Sequence, residues 1–394
     1  MRVAILHPEL GIGGGERLVV DAALALQQRG HQVTLHTARR DAAHCFAPTR
    51  DGTLDVRVHA ERFPLDWRGR LRLPAAMARM LMVARAALRQ PLDVIFCDAL
   101  SHVIPLLRRR TRAPIVFYGH YPDLLLTPPR HGWYHLYRAP FDRLEEAGLR
   151  AADRVLVNSA YTAAAFRHAF PRLRVTPDDV LHPSIDIANQ SDAAPPPSAC
   201  NTIVVVSRLV AGKNLDLAVD AFAVLRQQLP AARFAALRLV IAGAYDARLR
   251  DCAMTLAGLR QRIAAHGLAA QVELRCSPSD AERDALLAQA RCLLFTPPHE
   301  HFGYVPLEAM AAGRAVIAVD SGGPRESVVD GETGFLCAPT PAAFAAALQR
   351  LVDEPDLADR GGRAGRHRAT THFSFATFAA RLDAILGEVV ARRG

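Results

Sequence analysis

The chain has 394 residues, half of them hydrophobic, and 48 basic side chains against 39 acidic ones, for a formal net charge of +9. That length accommodates two domains of ordinary size, and that apolar fraction excludes wholesale disorder. Residues 1–190 hold 26 Arg against 18 Asp and Glu, whereas 191–394 hold 22 basic against 21 acidic residues. The first half is therefore expected to face something anionic, be it nucleic acid, a membrane or a phosphorylated ligand, with a merely soluble basic surface as the alternative.

Short β-branched runs alternate with longer helical patterns along the first half. Val3–His7 reads as a strand, followed by a Gly-rich turn, a helix at Leu18–Gln28 that Gly30 ends, and a second strand at Val33–Thr37. Val94–Cys97, Ile115–Tyr118 and Val155–Asn158 repeat the strand type. This is βαβ logic, hence a mostly parallel sheet with helices on both faces. The stretch 61–107 differs, interleaving Arg62, Arg68, Arg70, Arg72, Arg79, Arg85 and Arg89 with Trp67, Leu71, Leu73, Met77, Met80, Leu81 and Leu88. The pattern reads as a basic amphipathic segment able to lie on anionic headgroups, or as an ordinary helix with its apolar face on the domain. Few aromatics interleave it, which argues against nucleic acid as the partner.

Residues 187–200, rich in Pro, Ala, Ser and Asn, have the composition of a linker. A second alternating series follows, with strands at Thr202–Ser207, Arg238–Ala242, Val272–Arg275, Cys292–Thr296 and Ala315–Val319. The expected organisation is a first domain over 1–186, a linker over 187–200, a second domain over 201–372 and a last helix over 373–394. That helix places Phe378, Leu382, Ile385, Leu386 and Val389 on one face and is expected to cross back over the first domain. The seven cysteines are scattered and form no CxxC pair, which fits a reducing compartment and argues against structural zinc or a disulfide framework. Met1–Pro8 is interrupted too soon for a signal peptide, and no apolar run approaches the roughly 18–20 residues that span a bilayer. The expected location is cytoplasmic, peripheral on the cytoplasmic face of a membrane.

Five constellations carry the chemistry. Gly11–Arg17 holds Gly13 and Gly14 between the first strand and the first helix, where backbone N–H groups can approach an anion. A dinucleotide site would need an acid at the end of the second strand, and that strand ends Thr37-Ala-Arg-Arg40 instead. His120 and Asp123 stand just past the strand Ile115–Tyr118; a lone histidine there is as often structural as catalytic. Arg208 and Lys213 share the loop after Thr202–Ser207, at the carboxyl end of a parallel strand, where two cations suit a diphosphate. Lys213 is the only lysine in the chain, and a compact ammonium is not interchangeable with a guanidinium. Glu300 and Glu308 flank Phe302, Gly303 and Pro306, with Pro306 read as the first residue of a helix and Glu308 in its first turn. Ser321–Glu326 forms one more glycine turn into a helix. No Asp-x-Asp pair occurs, so the cations and helix N-termini are expected to stabilise a leaving group without a metal.

Glu300-x7-Glu308, the Ser-Gly-Gly-Pro-x-Glu turn and Arg208-x4-Lys213 resemble the retaining glycosyltransferases of family 4, which have the GT-B fold. Within that family, several strings look most like the α-1,3/1,6-mannosyltransferases that extend dolichol-pyrophosphate-linked chitobiose. They are His7–Gly14, Glu16–Leu24, Tyr118–Leu126, Val157–Ser159 and Glu300–Met310, and the resemblance spans nearly the whole chain. It implies an α/β GT-B architecture of two Rossmann-like, doubly wound domains facing a cleft. It implies a metal-independent enzyme that needs no cofactor and moves mannose from GDP-mannose to a lipid-linked, polyprenyl-diphosphate oligosaccharide. By the same resemblance Arg208 and Lys213 hold the donor diphosphate, Glu308 the ribose and Glu300 the sugar hydroxyls. Phe302 and Gly303 belong to the donor loop, and Gly13 and Gly14 approach the phosphates. His120 stands near the anomeric carbon, with Asp123 on the acceptor side. The alternatives at this point are a GT-B transferase or epimerase acting on a UDP-sugar, and a non-catalytic membrane-associated scaffold of the same fold.

Overall fold

Val3, Ala4, Ile5 and Leu6 are consecutive, apolar and all at most 1 % exposed. A strand buried on both faces needs a strand on each edge and helices over each face, the arrangement of a parallel α/β sheet. The computed structural model, which describes residues 1–66, 71–126, 133–185, 187 and 196–393, contains that arrangement twice. The chain divides into one unit of Met1–Ser184 with Phe375–Gly394 and a second of Ile185–Ser374.

The first unit runs β1 (Arg2–Leu10), α1 (Gly14–Gln28), β2 (Gln32–Arg40), β3 (Asp55–Val58), α2 (Arg72–Ala87), β4 (Val94–Asp98), α3 (Ile104–Arg110), β5 (Ile115–Gly119), α4 (Asp123–Leu126), α5 (Trp133–Ala151), β6 (Arg154–Val157) and α6 (Ala160–Ala169). Its strands lie in the order β3-β2-β1-β4-β5-β6, all parallel. Side chains alternate across the sheet. Val3, Ile5, Phe96 and Val116 pack on one face with α1, while Ala4, Leu6, Ile95 and Phe117 pack on the other with α2, α3 and α6. The order reverses between β1 and β4, and the crevice beyond the carboxyl ends of such strands is where sheets of this winding bind ligands.

Two expectations need correction in this unit. β1 continues past His7 to Leu10, because its pairing with β2 continues through Glu9↔Arg39 and Leu10↔Arg40 and Leu10 is buried. The segment 61–107 is not one amphipathic element. It contains the central strand β4, and α2 turns Ala75, Met80, Val83, Ala84 and Ala87 inward onto the sheet. Arg79 is itself buried on that inward face, its Nη1 donating to the Pro64 carbonyl at 2.7 Å. Trp67, Arg68 and Arg70 lie outside the described residues.

The second unit runs β7 (Thr202–Val206), α7 (Asp216–Gln228), α8 (Ala231–Ala236), β8 (Arg238–Gly243), α9 (Arg250–Ala265), β9 (Val272–Cys276), α10 (Asp280–Ala288), β10 (Ala290–Phe295), α11 (Tyr304–Ala311), β11 (Ala315–Val319), α12 (Pro324–Ser327), β12 (Gly334–Cys337), α13 (Pro341–Asp353) and α14 (Pro355–His372). Its sheet has the order β12-β11-β10-β7-β8-β9, the same winding as the first, with the reversal between β7 and β10. Of the stretch read as a linker, 188–195 lie outside the described residues, and its end, Pro197–Ala199, is a single turn held against α14. There the Ser198 backbone N–H and hydroxyl donate to the Asp359 carboxylate at 2.8 and 2.7 Å. After α14 the chain returns to the first unit as α15 (Phe375–Ala391), which buries Phe378, Leu382, Ile385, Leu386 and Val389 in the core cluster that includes α1.

Candidate active site

The residues singled out from the sequence fall into two groups, one on each unit, and both stand at the carboxyl ends of the central strands. In the second unit, β7 leads to Arg208 and then to a tight turn, Ala211–Lys213, which Asn214 leaves in the left-handed region at φ 50°. Neighbouring β10 leads to the loop Thr296–Gly303. The Thr296 hydroxyl donates to the Lys213 carbonyl at 2.8 Å, tying the two loops together. The Lys213 ammonium completes the link by donating to Glu300 Oε2 at 2.5 Å. Both groups remain partly exposed. An ammonium has three N–H donors, and Glu300 is its one side-chain partner among the described residues. Arg208 is exposed, and its guanidinium makes no ion pair among the described residues.

The loop that carries Glu300 is fixed from below by the glycine turn after β11. The His299 N–H donates to the Ser321 hydroxyl at 2.9 Å and the Gly323 N–H to the Glu300 carbonyl at 2.8 Å. A Cβ on Gly322 would collide with the Glu300 main chain, and one on Gly323 with that of Phe302. The Ser-Gly-Gly-Pro turn is therefore a backbone bracket for the acidic loop. Gly303 ends that loop at φ 90°, a conformation that favours glycine. The helix α11 then starts at Tyr304 rather than Pro306. The first four N–H groups of a helix have no intrahelical partner, so proline at its third residue sacrifices no hydrogen bond. Glu308 consequently sits at the start of the second turn, partly buried. Burial alone would lower the pKa of Arg283 on α10, but Glu308 together with Asp284 and Asp280 outweighs it and holds that guanidinium above its ordinary value. The Phe302 ring is 3 % exposed and packs edge-on to Tyr304 and against Phe373. It is a core residue, and what it can offer a ligand is main chain.

In the first unit Gly13 caps α1 in an extended conformation, with Gly14 the first helical residue. The Glu16 carboxylate folds back over Gly13. His120 stands one residue beyond β5. Its carbonyl accepts from Asn158 Nδ2 at 3.3 Å and from the Thr162 hydroxyl at 3.4 Å. Its Nε2 is 2.9 Å from Asp98 Oδ1, an ion-pair distance poorly aligned for a hydrogen bond. The other Asp98 oxygen meets His7 Nδ1 at 2.7 Å. Asp123 opens α4, pairs with the buried Arg138 of α5, and donates its N–H to Glu145 Oε1 at 2.9 Å. The Glu145 carboxyl is pushed up to about 7, chiefly by burial.

Residues 12–188 match the profile Glycosyltransferase Family 4, and 186–368 match Glycosyl transferases group 1. The protein Alpha-1,3/1,6-mannosyltransferase ALG2 of Homo sapiens is 40 % identical over 393 residues, which cover 96 % of this chain and 94 % of the human one. The chain belongs to the α-1,3/1,6-mannosyltransferases. The Rhizomucor pusillus relative of the same name is 38 % identical over 99 % of this chain and 92 % of its own. In fold, the mannosyltransferase resembles sucrose-phosphate synthase (tll1590) from Thermosynechococcus elongatus, with a TM-score of 0.80 at 21 % identity and 99 % coverage of each chain.

Asp98, His7 and Glu16 were not among the candidates drawn from the sequence of this mannosyltransferase, and the structure gathers them around His120. A signal for Asp98 was present: an acid closing the apolar run Val94-Ile-Phe-Cys, at the carboxyl end of a central parallel strand. Burial would raise the Asp98 pKa, but the imidazoles of His120 and then His7 bring it down to about 2. The carboxylate is therefore charged although fully buried.

Proposed function

We propose that the enzyme transfers mannose from GDP-mannose, with retention of configuration and without a metal, to a lipid-linked oligosaccharide. The observation that carries this reading is 40 % identity along 96 % of the chain to an α-1,3/1,6-mannosyltransferase. The Arg208, Lys213, Glu300 and Glu308 set at the β7–β10 reversal supports it. In this reading Lys213 and Arg208 meet the donor diphosphate, and Glu300 and Glu308 take sugar and ribose hydroxyls. The bond from the anomeric carbon to the phosphate oxygen breaks, and the acceptor oxygen bonds to the same face. The acceptor's proton passes to the departing phosphate oxygen, so GDP leaves with that proton and no protein carboxylate forms a covalent intermediate. Charge stabilisation on the departing diphosphate is the protein's main contribution. In this reading the cations Arg208 and Lys213 supply the charge that a metal would otherwise bring to the diphosphate.

A lipid-linked acceptor also places the enzyme at a membrane surface. Support for that part comes from Leu65 and Leu71, Leu125 and Leu126 on α4, and Leu136 on α5. All are exposed leucines of the first unit. No helix among the described residues is long and apolar enough to cross a bilayer. The test is mass spectrometry of products formed by purified enzyme from GDP-mannose or UDP-glucose and a panel of lipid-diphosphate glycans, with and without chelator. Mannosylated lipid-diphosphate product, unchanged by chelator, is expected. Activity confined to UDP-glucose, or lost on chelation, overturns the corresponding part.

A further inference from the structure

The carboxyl ends of β1, β4 and β5 are adjacent in the first sheet, and each supplies one member of a single cluster. The register that pairs Leu6 with Cys97 brings His7 beside Asp98, and the chain runs two residues past Tyr118, the partner of Asp98, to His120 just beyond β5. Asp98 has no exposed surface, His7 is 5 % exposed at its side chain and His120 29 %. A sealed carboxylate is costly unless each oxygen is compensated. Here His7 hydrogen-bonds one oxygen and His120 stands at ion-pair distance from the other, and the buried charge reaches the surface through His120. The ring of His120 has little freedom to turn away. Its carbonyl is held by Asn158 and Thr162, the Tyr118 ring stands edge-on at 5.2 Å, and a Cβ on Gly15 would come within 3.3 Å of Nε2.

We propose that Asp98 is a positioning residue for glycosyl transfer, holding His120 oriented and protonated at the active site, with His7 anchoring the far oxygen of the carboxylate. The proposal rests on the reading of His120 as an active-site residue. The groups that face His120 are Asp98 from β4, with His7 of β1 behind it, Glu16 from the first turn of α1 and Tyr118 from β5. Burial alone would lower the His120 pKa, but the Asp98 charge and then that of Glu16 outweigh it, and the imidazole ends above its ordinary value. Asp98 supplies the larger part of that compensation and Glu16 the lesser part. With Asp98 neutral, the balance would shift toward burial and the His120 pKa would fall.

The sign follows directly. A cation with a raised pKa is present below that pKa and lost as pH rises through it, so kcat/KM should fall on the alkaline side with the titration of His120. Asp98→Asn keeps shape and removes the charge. It is expected to move that alkaline limb down by about one to three pH units. His120→Asn is expected to lower transfer and abolish the limb. In the unaltered enzyme, NMR titration of the His120 ring, assigned by its loss in His120→Asn, is expected to give a midpoint above that of a free histidine. Full activity of His120→Asn would overturn the reading of the site. An impaired His120→Asn together with an unmoved limb in Asp98→Asn would overturn the positioning role alone. A His120 midpoint at or below the free value would do the same without depending on any variant's folding.

Discussion

Lys213 is the single lysine among 48 basic side chains, and its place explains what a guanidinium would do badly there. The ammonium sits at the end of a three-residue turn, 2.5 Å from Glu300, with donors left over for an anion. A planar guanidinium prefers a two-point grip on a carboxylate. Lys213→Arg should therefore hold Glu300 more firmly and present its charge to the diphosphate less well. Transfer should fall at least about tenfold, and Lys213→Ala should cost roughly 10²–10³-fold, as removal of a transition-state donor does. Melting temperature should barely change, because a partly exposed pair contributes at most about 1 kcal/mol. Steady-state kinetics beside thermal melting checks both, and a fully active Lys213→Arg would mean that the ammonium has no special task. Lys213, Glu300, Glu308 and His120 could be singled out as candidates because each lies inside a short local motif. For Asp98 the sequence shows only an acid closing an apolar strand, and its pairing with His7, 91 positions away, is made by strand order alone.

At the scale of elements, the site depends on loops that carry no chemistry of their own. The turn after β11 holds the loop after β10 through the Ser321 hydroxyl, the Gly323 N–H and the space left by two missing side chains. Gly322→Ala adds a methyl at φ 67° against the Glu300 main chain. It should both strain the turn, by about 1–2 kcal/mol, and displace Glu300. Gly331→Ala is the matched control, since Gly331 has φ 76° but open space around its Cα. Both variants should melt earlier, but only Gly322→Ala should lose most of its transfer rate. Equal activities would show that Glu300 is not placed by this turn. The strands and their carboxyl-end loops were readable from alternating apolar runs, which is why the fold class follows from the sequence. The partner of α2 was not. A helical period specifies that one face is apolar, not whether that face meets a sheet or a lipid. The structure resolves it through Met80, Val83 and Ala87, which lie on the sheet.

Across the whole molecule, the net charge belongs to one unit. Met1–Ser184 with Phe375–Gly394 holds 29 basic against 19 acidic residues, whereas Ile185–Ser374 holds 19 against 20. Arg208 and Lys213, the cations proposed for the diphosphate, lie on the nearly neutral unit, so that proposal leaves the excess positive charge of the other unit unexplained. Anionic lipid attracts a basic surface by about 1 kcal/mol for each Lys or Arg near it, and salt screens that attraction. Apolar contacts such as those of Leu126 and Leu136 do not weaken with salt in the same way. The enzyme should therefore sediment with vesicles containing phosphatidylserine at low ionic strength, and largely detach at high salt. It should bind pure phosphatidylcholine vesicles weakly under both conditions. Equal binding to the two vesicle types would assign docking to the exposed leucines alone. No binding to either would leave the positive charge of the first unit without a membrane role and sink the surface-bound reading.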